Sequence, residues 1–165
     1  MKKTIIIGIT IIIIIALIYT IIQINNNEKW QTINANDKFS FKLPPEIIKQ
    51  EIQQTDSFVQ QYIGRNMLVS FDYGWYSEPL IGKESEPEYF EEERQIDGKQ
   101  AKIISYRTYQ ESSFGGYYLG ASFRNIEEET IGQQTQTVHL TMGVSYANEE
   151  DESTALRIIE SIDFP

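Results

Sequence analysis

The chain has a single histidine, His139, and this is the first residue whose chemistry could serve catalysis or metal binding. An imidazole titrates near neutral pH and can act as a general base or as a metal ligand. His139 alternates with Thr137 and Thr141, so it belongs to the polar side of a predicted strand, where a solvated sheet face already accounts for it. The chain has no cysteine, and a zinc site would therefore need carboxylates as its other ligands, which is uncommon. We expect no catalytic residue, no metal centre and no cofactor.

Carboxylates are abundant and gather in three runs, which are 86–93, 127–129 and 149–152. Calcium prefers oxygen ligands, but none of these runs has the Asp-x-Asp-x-Asp-Gly spacing that wraps a loop around the ion. Each run also suits a solvated loop or the start of a helix. Weak calcium binding therefore stays an open alternative.

Three other patterns of functional residues are missing from the chain. No serine has the Gly-x-Ser-x-Gly context of a hydrolase, and Gly115-Gly116 lacks the lysine and hydroxyl residue of a phosphate-binding loop. No pair among the 24 aspartates and glutamates is singled out by its spacing as a catalytic pair. We expect a protein that is not an enzyme.

An aromatic run, Phe-Asp-Tyr-Gly-Trp-Tyr, occupies residues 71–76. Aromatic faces can stack on sugars, peptides or partner proteins. Alternation puts Phe71, Tyr73 and Trp75 on one face of a strand, where they would build the core instead. Tyr76 leaves that row and leads into the polar stretch 77–88. Tyr73, Trp75 and Tyr76 are thus a candidate interaction patch, with core packing as the alternative interpretation.

The elements that must position these residues follow from hydrophobic periodicity. From Trp30 onward, apolar and polar residues alternate as in strands with one buried face. The alternation predicts strands over 39–43, 67–75, 117–124 and 137–146. Short connections between the last strands predict an antiparallel meander.

The stretch 101–109 is less regular than the other predicted strands. Ala101 and Ile103 share one parity, whereas Ile104 and Tyr106 share the other. A β-bulge and a strand that is buried on both faces are the two explanations. The preceding Ile96-Asp-Gly-Lys99 predicts a tight turn in which glycine takes a positive φ.

Helical periodicity appears near the C-terminus, where four apolar residues recur at i, i+3, i+4 and i+7. They are Ala155, Ile158, Ile159 and Ile162. We expect a short amphipathic helix that packs on the sheet. A second helix over 84–94 is an alternative, which Pro87 and the density of charge oppose.

The N-terminal segment 4–24 has 21 residues without a charge, and thirteen of them are isoleucine. As a helix it would be roughly 31 Å long, which matches a bilayer core of about 30 Å. A cleaved signal peptide is the alternative, but the segment is long for one and no Ala-x-Ala-like site follows it. We expect a transmembrane signal anchor over 1–24, a polar linker over 25–29 and one domain over 30–165.

The charged residues predict the orientation of the chain in the membrane and exclude nucleic acid as a partner. Lys2 and Lys3 flank the apolar segment, so the positive-inside rule predicts a cytoplasmic N-terminus and extracytoplasmic residues 28–165. Residues 28–165 carry 12 basic and 24 acidic side chains. Nucleic acid has the same sign of charge as such a domain and would be repelled by it.

Four short motifs appear in an order that resembles the PsbP-like group, which includes an extrinsic photosystem II subunit and many bacterial envelope proteins. The motifs are Phe-Ser-Phe-Lys-Leu-Pro at 39–44, Phe-Asp-Tyr-Gly at 71–74, Ile-Asp-Gly-Lys-Gln-Ala-Lys-Ile at 96–103 and Ala-Leu-Arg-Ile-Ile-Glu-Ser-Ile-Asp-Phe at 155–164. The resemblance spans residues 30–165. It implies an α+β fold in which helices flank an antiparallel sheet, an α/β/α sandwich, and it supplies no catalytic residues.

Together these features predict a single-pass membrane protein of the cell envelope without catalytic activity. Its partners would be the lipid bilayer, through residues 4–24, and another envelope protein that the outer domain binds or helps to assemble. The alternative is a ligand-binding or sensory domain with a pocket near the aromatic residues 71–76. A flat exposed aromatic patch would favour the first function, and a deep pocket the second.

Overall fold

The computed structural model describes residues 30–52, 57–112, 114–132 and 134–165. The chain divides into two compact units, residues 1–31 and 32–165. Of the first unit, only Trp30 and Gln31 belong to the described residues. The predicted anchor over 1–24 and the linker over 25–29 lie outside them.

Strands dominate the described residues, as the alternation predicts. The strands are β1 (Gln31–Ala35), β2 (Phe39–Leu43), β3 (Ile48–Gln50), β4 (Phe58–Ile63), β5 (Met67–Gly74), β6 (Phe90–Ile96), β7 (Lys99–Ser112), β8 (Gly115–Ile131) and β9 (Gln134–Tyr146). A 3₁₀ turn over Glu149–Asp151 leads into the one α-helix of these residues, α1 (Glu152–Glu160). The four strands predicted from alternation and the C-terminal helix are confirmed.

Strands β3 to β9 form one seven-stranded antiparallel sheet in the order β3-β4-β5-β9-β8-β7-β6, while β1 and β2 form a separate hairpin. The predicted meander of β7, β8 and β9 is confirmed, since each pairs antiparallel with the next. The last strand, β9, also pairs with β5. The connection from β5 to β6, residues 75–89, must therefore pass over β9, β8 and β7. We call this segment the crossover loop.

The core lies on the face of the sheet that the β1–β2 hairpin and α1 cover, which we call the inner face. Alternation along β5 buries Met67, Val69, Phe71 and Tyr73 there. The rings of Phe39 and Phe41 in β2 contact Phe71, with ring centroids 5.0 and 5.9 Å apart. Helix α1 buries Ala155, Ile158 and Ile159 through its contacts with β2, β8 and β9. Burial of these apolar side chains is the main stabilising contribution.

A polar cluster fastens the hairpin to the sheet. The Tyr73 hydroxyl donates a hydrogen bond to the Glu127 carboxylate. Lys38 lies in the turn between β1 and β2. Its ammonium nitrogen is 3.0 Å from the Glu127 carboxylate and 2.9 Å from the Glu129 carboxylate. Glu127 thus receives one donor from the sheet and one from the β1–β2 turn. The carboxylates raise the pKa of Lys38, and the Tyr73 and Lys38 donors lower the pKa of Glu127.

The α/β/α sandwich expected from the sequence is wrong. The described residues contain one α-helix, and it packs on the inner face only. The stretch 84–94, considered for a second helix, instead forms the end of the crossover loop and most of β6. Its apolar residues do not recur at helical spacing, and Pro87 has no amide proton for a helix interior. Among the described residues, the crossover loop covers the outer face and no helix does.

The prediction of a single-pass membrane protein is also corrected. Within the described ranges, no helix combines the length and the apolar character needed to cross a bilayer. A span needs about 20 apolar residues, whereas α1 has nine residues and one apolar face. Residues 4–24, on which the transmembrane, signal-anchor and extracytoplasmic assignments depended, lie outside the described part of the chain.

Strand β7 resolves the irregular parity of 101–109. Ala101 to Arg107 pair with β8 in unbroken register, and the shift comes only between Arg107 and Ser112. Ile103 and Ile104 are both buried, at 2% and 0% exposure. Strand β7 is therefore buried on both faces at this point, which means that another part of the chain covers Ile104 on the outer face. The turn before it is also confirmed, with φ of 72° at Gly98.

Candidate functional site

The outer face of the sheet has a shallow trough where two glycines lie side by side. Gly120 of β8 pairs with Gly143 of β9, and Ile104 of β7 pairs with Gly120. Glycine has no side chain above the sheet, so a neighbouring group can approach the backbone closely. The trough lies near the middle of the sheet, below the path of the crossover loop.

Tyr118 fills part of this trough. A Cβ atom built on Gly143 would lie 2.5 Å from the Tyr118 hydroxyl oxygen, and one on Gly120 would lie 2.8 Å from the Tyr118 ring. The phenol therefore lies across both glycines. Tyr106 stacks on it, with ring centroids 4.9 Å apart and an angle of 26° between the planes. The two stacked tyrosine rings form an aromatic surface on the outer face of the sheet.

The crossover loop is held above the trough by specific bonds to the outer face. The Ser77 hydroxyl donates to the Asp72 carbonyl at 3.0 Å, and the Thr141 hydroxyl donates to the Glu78 carbonyl at 2.7 Å. Arg124 donates to the Ser77 carbonyl at 2.9 Å. One loop end is thus tied to three neighbouring strands, β5, β9 and β8. Leu80, further along, reaches down to Gly120, and its Cδ1 lies 2.8 Å from a Cβ built there.

A cavity of about 340 Å³ separates the crossover loop from the sheet. Leu80 and Ile81 line it from the loop, and Ile104, Tyr106 and Tyr118 line it from the sheet. Two further cavities, of about 190 and 100 Å³, lie beside the β1–β2 turn and beside Tyr117. The outer-face cavity is the largest of these three, and it combines apolar walls with a few polar groups.

Asp72 is the polar group of greatest interest in this cavity. It lines the cavity, and its Oδ1 atom is buried with no hydrogen-bond partner among the described residues. Burying a carboxylate oxygen without a donor is costly. Glu78 and Lys83 line the rim, and the Lys83 ammonium lies 5.8 Å from the centre of the Tyr106 ring. Burial raises the pKa of both Tyr106 and Tyr118, so both phenols are neutral at physiological pH.

The structure divides the three aromatic residues of the predicted interaction patch. Tyr73 is only 6% exposed and belongs to the core, as the alternative interpretation of the row has it. Trp75 is half-buried, and its ring nitrogen is buried without a hydrogen-bond partner in the described structure. Tyr76 is 67% exposed at the start of the crossover loop. The segment 71–76 therefore contributes Asp72, not its aromatic rings, to the cavity.

His139 lies on the outer face, on the polar side of β9. Its Nδ1 atom accepts a hydrogen bond from the Asn125 amide at 3.2 Å. Burial and the nearby Arg124 guanidinium lower its pKa, which favours the neutral ring. Within the described residues, no three histidine or carboxylate side chains lie close enough to hold a metal ion.

Sequence reasoning missed the glycine trough, although the sequence contains a signal for it. Gly120 and Gly143 each interrupt a strand of apolar and hydroxyl residues, and an interior glycine often marks a close approach. The length of the crossover loop is a second signal, because a 15-residue connection without regular structure is often functional. Neither signal identifies the pairing of the two glycines, which depends on the register of β8 with β9.

Replacing Gly143 with alanine should destabilise the domain by about 1–3 kcal/mol, because the new methyl group would overlap the Tyr118 phenol. Urea denaturation measures this change in the free energy of unfolding. Gly116→Ala, in β8, is the matched control, since its Cβ would lie 3.5 Å from the Ala147 carbonyl at ordinary contact distance. Equal stability of Gly143→Ala and the wild-type protein would contradict the close contact.

No protein-family model matches this chain, and no characterised protein matches its sequence significantly. The resemblance to the PsbP-like group stays a prediction. Function must therefore be argued from the geometry of the domain.

Proposed function

We propose that this domain binds a small organic ligand in the outer-face cavity and has no catalytic activity. The observation that supports this function best is the cavity itself, with a volume of about 340 Å³ under the crossover loop. Ligand pockets have volumes of about 300–1,000 Å³ and combine apolar walls with a few polar groups. The cavity is at the small end of that range, which fits a ligand of metabolite size.

The arrangement of the walls also supports ligand binding. The tyrosine pair and Ile104 stand on a rigid sheet, whereas Leu80 and Ile81 belong to the middle of a loop that is bonded to the sheet near both of its ends. Sites that join a rigid surface to a loop are common, because the loop can adjust around the ligand. Asp72 adds a carboxylate that could fix the orientation of a bound molecule.

Binding of a protein partner is a second proposal, and one observation favours it. Tyr76 and Ile81 are 67% and 64% exposed, and both belong to the crossover loop. Exposed aromatic and aliphatic side chains in one segment are typical of contact residues. This surface lacks part of the interaction patch of Tyr73, Trp75 and Tyr76 expected from the sequence, since Tyr73 lies in the core. The ligand cavity is therefore the better supported function.

A fragment screen by NMR tests the proposed function. A library of small organic molecules is titrated into the isotope-labelled protein, and changes in backbone amide shifts are recorded. We expect several fragments to shift the amides of residues 104–106, 118–120 and 141–143 together, since these surround the cavity. Leu80→Trp should reduce the affinity of these fragments by at least about tenfold, because the larger ring fills the space beside Gly120.

Ile48→Trp is the matched control, since Ile48 is 62% exposed in β3, at the other edge of the sheet from the crossover. This variant should bind the same fragments with wild-type affinity. The proposal is wrong if no fragment shifts these amides, or if Leu80→Trp binds the fragments as tightly as Ile48→Trp does.

A further inference from the structure

We infer that the preferred ligand is a small organic cation, an amine with an apolar body, whose ammonium group binds at Asp72. This inference rests on the proposed function, because it concerns the same cavity. It adds the charge and the chemical class of the ligand, which the cavity volume alone does not determine.

The first observation is the buried oxygen of the Asp72 carboxylate that has no hydrogen-bond partner among the described residues. The Asp72 side chain as a whole is half-buried and lines the cavity. The neighbouring hydroxyl of Thr141 cannot supply the donor, since it donates to the Glu78 carbonyl. A ligand ammonium would bring both a donor and an opposite charge to this carboxylate. Such charge-assisted bonds are stronger than bonds between neutral groups.

The aromatic wall is the second observation. Tyr106 and Tyr118 present neutral phenol rings to the cavity, and ring faces attract cations. The protein itself places one cation against this wall, because the Lys83 ammonium lies 5.8 Å from the Tyr106 ring centre. An apolar ligand body would pack on the same rings and on Leu80 and Ile104. The wall thus suits both parts of an amphipathic amine.

The balance of charge around the cavity favours a cation over an anion. Two acidic side chains, Asp72 and Glu78, line the cavity, against one basic side chain, Lys83. Lys83 is exposed, so water screens its charge more than that of the half-buried Asp72. Burial is the main cause of the raised pKa of Tyr106, and the negative charge of Glu86, further along the crossover loop, adds to it. The half-buried Arg124 is the other cation on this part of the outer face, but it donates to the Ser77 carbonyl and does not line the cavity.

Three probes of one shape test the inference, namely phenethylamine, 2-phenylethanol and 3-phenylpropionate. Each is titrated into the protein at neutral pH and low salt, and dissociation constants come from the amide shifts of residues around the cavity. We expect phenethylamine to bind at least about tenfold more tightly than the alcohol. The carboxylate should bind most weakly of the three.

Asp72→Asn keeps the shape of the side chain and removes its charge, so it should weaken phenethylamine binding by about tenfold or more. Its affinity for 2-phenylethanol should stay at the wild-type value, which also shows that the cavity is still folded. Glu84→Gln is the control, because it removes the same charge from an exposed position of the crossover loop that does not line the cavity. It should change phenethylamine binding by less than about threefold.

The outcomes separate this inference from the proposed function. If fragments bind the cavity but phenethylamine binds no better than 2-phenylethanol, the cation preference is wrong and the binding function stands. The cation preference is equally wrong if phenethylamine shifts no amide around the cavity, or if Asp72→Asn and Glu84→Gln weaken its binding to the same extent. If no fragment of any charge binds there, the proposed function itself fails.

Discussion

Replacing Phe71 with alanine should lower the free energy of unfolding by about 3–5 kcal/mol, the range for removing a buried phenylalanine. Phe71 is 1% exposed and lies in β5 with its ring on the inner face. Its ring centroid is 5.0 Å from that of Phe39 and 5.2 Å from that of Phe58. Truncation therefore removes apolar area and the edge-to-face contacts that join the hairpin to the sheet.

Urea denaturation at neutral pH, followed by circular dichroism, measures this loss. Phe90→Ala is the matched control, because Phe90 is 53% exposed at the start of β6. Its loss should change the free energy of unfolding by only about 0.5 kcal/mol. A cost below about 1.5 kcal/mol for Phe71→Ala would contradict the placement of this ring in a packed core.

The domain should lose stability steeply above pH 10, and Tyr73 should account for a measurable share of that loss. Burial and the Glu127 carboxylate raise the pKa of Tyr73 well above its ordinary value. Burial also raises the pKa of Tyr62 to about 12 and raises the pKa of Tyr118 and Tyr146. A free tyrosine in the unfolded chain titrates near pH 10.

The sign of the effect follows from this difference. Below pH 10, both states keep the phenolic protons, so these tyrosines give no pH dependence. Above pH 10, the unfolded chain loses protons that the folded domain retains, and unfolding therefore becomes more favourable as pH rises. Lys38 contributes in the same direction, because its raised pKa means that the folded domain holds that proton more tightly too.

Urea denaturation at several pH values between 8 and 12 gives the number of protons that unfolding releases. In Tyr73→Phe, this number should fall by up to about one, since phenylalanine has no phenolic proton. Tyr76→Phe, at an exposed position, is the control for the loss of a hydroxyl group. The same proton release in Tyr73→Phe as in the wild-type protein would mean that Tyr73 does not hold its proton more tightly in the folded state.

The alternation in the sequence was enough to predict the inner half of the sheet. In β5 and β9, every apolar residue of one parity is buried, because each strand has one face on the core. The helix at Ala155 to Ile159 follows from its spacing for the same reason. What alternation could not predict is β6, since its run of three glutamates has no apolar parity. That strand forms through backbone bonds to β7, and Arg94 and Lys102 offset its charge.

The cavity depends on contacts between residues that are far apart in the sequence, so no single segment predicts it. Gly120, Gly143 and Leu80 meet only because β9 pairs with both β5 and β8, which forces the crossover loop over them. Asp72 belongs to a strand predicted correctly, yet its sequence position gives no sign that it lies under a loop. Residue type predicts that Tyr73 and Trp75 are contact residues, whereas Tyr73 is buried in the core of the structure. The residue types indicated the segment 71–76, but the register of the strands determines which residues line the cavity.

The order of the strands has a consequence for how the domain assembles. Strands β3, β4 and β5 form one local meander, and β6, β7 and β8 form another, but β9 alone joins them. Each meander can form early from neighbouring residues, while the contacts of β5 with β9 connect residues about 70 positions apart and form slowly. During synthesis, both meanders leave the ribosome before residues 134–146 do. Until β9 pairs with them, β5 and β8 each have an unpaired edge. The domain is therefore most exposed to aggregation in the interval before β9 is added.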